Sequence, residues 1–175
     1  MKEIFLTEEQ YKNLPYKTTI VTKGKSLGHV IGMLEDHGVV NYRWTKVDRV
    51  DLLEFPLKIE KNGVEYPFKV SMTVPRLMYP MKPKGSRSRS SPKTMTYLEN
   101  ISWRIFHWYL KSKLDAISYG ISDVLEEFMY HVNHELPDGS SISLGEMIMD
   151  NVNNLDKITS LPDKSEEPRR VIEIE

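Results

Sequence analysis

The 175 residues are 39% hydrophobic and 28% charged, a composition that suits one folded domain with tails and excludes a disordered polymer. The formal net charge of −1 supplies no global field for a polyanion, so any electrostatic recognition has to be local. Cysteine is absent, which excludes disulfides, thiolate nucleophiles and cysteine-held metals and fits a reducing compartment.

The first ten residues, "MKEIFLTEEQ", carry three acids and no long apolar stretch, unlike a secretory signal. No run approaches the roughly 18 apolar residues of a membrane span. A soluble cytoplasmic protein is the expectation. Residues 7–14 read as a short helix: Thr7 can cap it, with Gln10 in the capping-box position. "TTIV" at 18–21 reads as a short strand.

"SLGHVIGMLEDHG" places Leu27, Val30, Ile31 and Leu34 on one stripe, with Ser26 as N-cap and Gly38 in the left-handed position after the last turn. Three alternating strands follow. Val40, Tyr42 and Trp44 share a side of the first. Leu53, Phe55, Leu57 and Ile59 share a side of the second, and Val64, Tyr66, Phe68, Val70, Met72 and Val74 a side of the third. Asn62-Gly63 between the last two is a hairpin signal. Pro56 and Pro67 lie inside strands, so each is expected at an edge or bulge.

Residues 76–93 form a basic flexible loop rich in Ser, Pro and Gly. A long helix starts near Thr94 or Thr96. Its stripe runs Trp103, Phe106, Leu110, Leu114, Ile117, Ile121, Leu125 and Phe128, with Gly120 as a kink or break. Tyr97, Leu98, Ile101, Ile105 and Trp108 form a second apolar face, so the sheet covers one side and another element or a second subunit the other. "LPDGSS" at 136–141 is a turn, and a short helix runs from Leu144 to about Asn151. The polar stretch 156–175 closes on "VIEIE", an alternating segment that reads as a strand for a sheet edge or as a loose acidic tail. The fold class is therefore α+β: a three- to four-stranded antiparallel meander packed by a long C-terminal helix, with short helices at both ends, in a single domain spanning 1–155.

Three stretches together, "SLGHVIGMLEDHGVVNYRWTK", "NGVEYPFKVSMTVP" and "IFHWYLKSKLDAISYGISDVLEEFMYHVNHELPDGSSISLGE", resemble a widespread family of small proteins carried by phages, plasmids and other mobile elements. The resemblance covers residues 26–150. It implies an accessory protein near replication or recombination functions and brings no catalytic residues. The Ser-Arg-rich insert departs from the family, in which this segment is expected to be shorter or more acidic.

Between Arg76 and Lys93 the chain has six cations, Arg76, Lys82, Lys84, Arg87, Arg89 and Lys93, and no carboxylate. A flexible Ser-Arg segment can follow a phosphate backbone with its guanidinium forks; a solvated loop is the plain alternative. Arg43, Lys58 and Lys69 fall out of phase with the apolar strand residues and are expected to extend the same surface. Tyr79, Tyr16 and Trp108 are the candidate base-stacking rings.

Other constellations are weaker. Glu127, His131 and His134 have helical ligand spacing but lack a third firm ligand motif, and a solvated helix end explains them. His107 reads as a packed core residue. "GKSLG" at 24–28 lacks the upstream glycine of a phosphate loop. No cofactor, metal or catalytic group is expected. The reading is a non-enzymatic nucleic-acid-binding accessory protein acting on single-stranded DNA or RNA. The alternative is a protein-interaction module, a homodimer through the helix face 97–110.

Overall fold

The structure, a computed structural model, describes residues 3–61, 63–82, 92–135 and 141–150. Thr7 caps α1 (Glu8–Lys12) by the reciprocal bonds of a capping box with Gln10, as its sequence dictates. α2 (Lys23–Asp36) begins one turn earlier than Ser26: Thr22 is its cap, and Ser26 is buried inside the helix. The first turn, Lys23-Gly24-Lys25, carries no apolar residue, so periodicity alone does not reveal it. Gly38, at φ +78°, ends the helix as expected. Residues 18–21 form no strand.

The expected meander is present: β2 (Arg43–Val47), β3 (Val50–Lys61) and β4 (Val64–Thr73) pair antiparallel in that order. The β2–β3 turn is Asp48-Arg49, both with positive φ (47° and 65°), the backbone a two-residue hairpin requires. That turn makes Val47↔Val50 a hydrogen-bonded pair, and bonding alternates from there. By this parity Pro56 turns its nitrogen to the side of β3 away from β4, where β2 has already ended at Arg43↔Glu54. Pro67 likewise turns its nitrogen away from β3, so neither proline costs a ladder bond.

The inner face of this sheet (Leu53, Phe55, Val70, Met72, Val74) meets Val30, Met33 and Leu34 of α2. It also meets Trp103, Phe106, Leu110 and Leu114 of α3 (Glu99–Ser118). β2 starts later than its alternation suggested. Val39, not Val40, is therefore buried, and Val40 is exposed.

A second sheet lies where the sequence reading had flexible loop. β5 (Arg76–Met81) pairs parallel with β1 (Glu3–Phe5) and antiparallel with β6 (Thr94–Tyr97). The long helix therefore starts at Glu99, not at Thr94 or Thr96. The second apolar face of α3 is covered from within the chain: Leu98 and Ile101 form a small core with Leu77, packed by Leu6, Tyr11, Leu14, Tyr79 and Ile105.

Gly120, at φ +67°, ends α3, with the Ile121 amide donating to the Ala116 carbonyl at 2.9 Å. The chain restarts as α4 (Val124–Phe128) under an Asp123 capping box. The change of direction throws Ile121 and Leu125 off the expected stripe; only Phe128 returns to the core. A ribbon of β7 (Asn133–Glu135) and β8 (Ser141–Ser143) leads into α5 (Leu144–Asp150). Residues 136–140 and 151–175, with "VIEIE", lie outside the described residues.

Candidate nucleic-acid interface

The strand cations occupy the outer face of the β2–β3–β4 sheet, each facing a carboxylate. Glu54 lies directly opposite Arg43 in the register. Arg43 Nε donates to Glu54 Oε2 at 2.6 Å, and Lys69 Nζ lies 2.9 Å from Glu54 Oε1. Burial acts to raise the Glu54 carboxyl, but Lys69 and then Arg43 outweigh it and hold it below its usual range. Lys58 pairs with Glu65.

Arg76 belongs to β5 rather than to a loop, and its side chain is only 12% exposed. It donates to Glu3 and to the Arg49 carbonyl, and its guanidinium lies 4.5 Å from the Tyr97 ring centroid. Lys82 and Lys93 flank residues 83–91, which hold Lys84, Arg87 and Arg89 and lie outside the described residues. β5 departs from the Arg49 turn, so Lys82 lies just past the far end of that strand. Lys58 and Lys69 belong to the other sheet, toward the Asn62-Gly63 turn. Arg76 and the three strand cations therefore sit on different sheets, with no strand pairing between those sheets among the described residues.

The N-terminal segment links the loop base to exposed rings on α3. At one end, Glu8 is held low by its hydrogen bond and charge pairing with Lys12, and Lys93 adds to this. In the middle Tyr11 stacks on Tyr79 at 3.8 Å, and Lys17 lies 5.5 Å from the Tyr11 ring. At the other end Tyr16, in a left-handed conformation (φ 61°), lies nearly parallel to Trp108, with centroids 6.4 Å apart and planes 11° apart. Tyr16 is 40% exposed and Trp108 39%. The Arg104 guanidinium is 5.9 Å from the first ring and 5.2 Å from the second, and its Nη1 is buried without a hydrogen-bond partner. Two aromatic faces beside one guanidinium are the groups a single strand stacks on and pairs with. Arg104 was missed in the sequence. Its i, i+4 spacing from Trp108 was the available signal, whereas nothing local reveals the approach of Tyr16. Of the three rings singled out, Tyr79 is spent on Tyr11.

A charge cluster around the buried Asp51 also escaped the sequence. Lys23 Nζ lies 3.0 Å from Asp51 Oδ1 and 3.3 Å from Glu99, above the rings of Trp44 and Trp103. Burial opposes the Lys23 charge, but Asp51 and then Glu99 outweigh it and raise its pKa. The nearby Tyr97 hydroxyl is pushed up to about 12 by burial first and then by Asp51 and Glu99. This cluster ties α2, β3 and α3 together.

His107 is buried against His29 and Trp108; burial first, then Arg104, His29 and Lys111, lower it to about 4. Glu127 binds Lys113 and Ser122, and His131 is 3.2 Å from the Tyr109 hydroxyl. Among the described residues no group of three or more His, Asp or Glu side chains could hold a metal. Compared with protein-family models, with curated proteins and with solved structures, the chain matches none.

Proposed function

We propose that this chain is a non-enzymatic accessory protein that binds single-stranded nucleic acid. The bases stack at Tyr16 and Trp108 beside Arg104, and the phosphates run along the 82–93 loop. The carrying observation is the pair of half-exposed, near-parallel rings sharing one guanidinium, joined to the loop base through residues 8–16. The setting, an accessory role in a phage or mobile element, is part of the proposal and rests on the sequence resemblance of residues 26–150 alone. Arg43, Lys58, Lys69 and Arg76 already face oxygen acceptors, so a phosphate has to compete for each of them.

Fluorescence anisotropy with labelled single-stranded DNA and RNA at about 50 mM salt tests it. Trp108→Ala is expected to weaken binding roughly 5- to 100-fold, the worth of one stacked base. Replacing Arg87 and Arg89 together by alanine is expected to flatten the salt slope by about 1.4, at about 0.7 per phosphate contact. Absence of binding at low salt would remove the proposal.

The homodimer through residues 97–110 has less surface than the sequence promised, because Leu98, Ile101 and Ile105 are covered from within the chain. Trp108 and Tyr109 are what that face still exposes.

A further inference from the structure

β3 is a central strand over half its length and an edge over the rest. β2 ends at Arg43↔Glu54, while β3 continues to Lys61, paired there among the described residues with β4 alone. The parity that frees Pro56 points the amides and carbonyls of Lys58 and Glu60 to this open edge. Alongside it lies a groove of about 770 Å³ between residues 36–41, the end of α3 and the start of α4. Val39, Val40, Leu57, Leu114, Ile117 and Val124 line it. An unpaired strand edge beside an apolar groove is the geometry of strand addition: backbone bonds on the edge, alternate side chains in the groove.

We propose that residues 171–175, "VIEIE", of the same chain add to the open edge of β3. Three observations select this occupant. Its alternation puts Ile172 and Ile174 on one side and Val171, Glu173 and Glu175 on the other. Docked on β3, the isoleucines enter the groove on the side of Leu57 and Val39. The two glutamates then lie on the outer side, where Arg43, Lys58 and Lys69 outnumber their partners Glu54 and Glu65 by one charge. The connection is also long enough. Residues 151–170 reach on the order of 60 Å when extended, against a radius of gyration of about 15 Å for a domain of this size. The tether then holds the segment at an effective concentration on the order of millimolar, ahead of a separate partner.

The chain has no cysteine, so a spin label can be placed at one site with Glu175→Cys. In the full-length isotope-labelled protein, the amide resonances of Leu57 and Lys58 are expected to lose most of their intensity. A mixture of spin-labelled unenriched protein and unlabelled enriched protein should show no such loss. Exchange of the Lys58 amide is expected to be at least about tenfold slower in the native chain than in an Ile172→Asp, Ile174→Asp variant. That variant leaves the described core untouched and should keep its thermal transition. Unaltered intensities at Leu57 and Lys58 in the labelled chain overturn the proposal. Loss confined to the mixture also overturns it, and assigns the edge to a second copy. Neither outcome decides nucleic-acid binding, whose stacking site at Tyr16, Trp108 and Arg104 lies elsewhere.

Discussion

His107 shows how one side chain reports its surroundings. It lies on the long helix between Trp103 and Leu110, and the fold brings His29 of α2 to 5.6 Å from it, with Arg104 and Lys111 on its own helix. Burial and three neighbouring cationic or ionisable groups all disfavour its protonation, so its pKa falls from 6.5 to about 4. The unfolded chain takes up the proton near 6.5 and the folded chain does not. Stability is therefore fully present above about pH 6.5 and is lost progressively as the pH falls toward 4. The loss amounts to about 3 kcal/mol at most. Urea unfolding from pH 7 to pH 4 should show this decline, and His107→Gln should remove most of it. The core role of His107 was legible from its place on the apolar stripe. The Lys23–Asp51–Glu99 cluster was not: its members are separated by 28 and 76 residues, and Asp51 looked like one polar residue at the start of a strand.

At the scale of elements, local chemistry and long-range pairing divided the outcome. The Thr7 capping box, the two-residue connection from Lys61 to Val64 with Gly63 at positive φ, and the left-handed Gly38 follow from interactions among neighbours and were read correctly. Gly120 belongs with them. At φ +67° it lets the chain turn between α3 and α4 without a Cβ penalty, and nothing lies within 4 Å of where a Cβ would sit. Gly120→Ala is therefore expected to cost about 1 kcal/mol through backbone strain alone. The midpoint of urea unfolding should fall at an unchanged slope. By contrast, β5 is Arg-Leu-Met-Tyr-Pro-Met with no alternation and β6 is only four residues long; they became strands because β5 pairs with both β6 and β1. The same fact removed Arg76 from the loop and moved the helix start to Glu99.

The described residues form two cores of unequal size, separated by α3. The larger holds fifteen buried residues from the β2–β3–β4 sheet and its helices; the smaller holds Leu77, Leu98 and Ile101 under the N-terminal segment. Burial on this scale makes the second core the weaker unit, so it should open without global unfolding. In native-state hydrogen exchange, Tyr11→Ala is expected to speed exchange in β1, α1 and β5 selectively. Leu34→Ala, at a fully buried position, should lower the protection of β3 and β4 by about 2–5 kcal/mol along with the rest. The proposed stacking site spans this weaker unit: Tyr16 belongs to the N-terminal segment and Trp108 to α3. Ring spacing there depends on that segment staying docked.

The amino-acid sequence by itself determined the α+β class, the three-stranded meander, the amphipathic helices and the turns, because these arise from periodicity and from interactions spanning a few residues. Only the tertiary structure decided which cations are neutralised, which rings face each other, and where a strand edge is left open. Those depend on contacts between residues far apart in the chain, such as Arg43 with Lys69 through Glu54, Tyr16 with Trp108, and β1 with β5. No local pattern encodes them; they exist only once the two cores have formed.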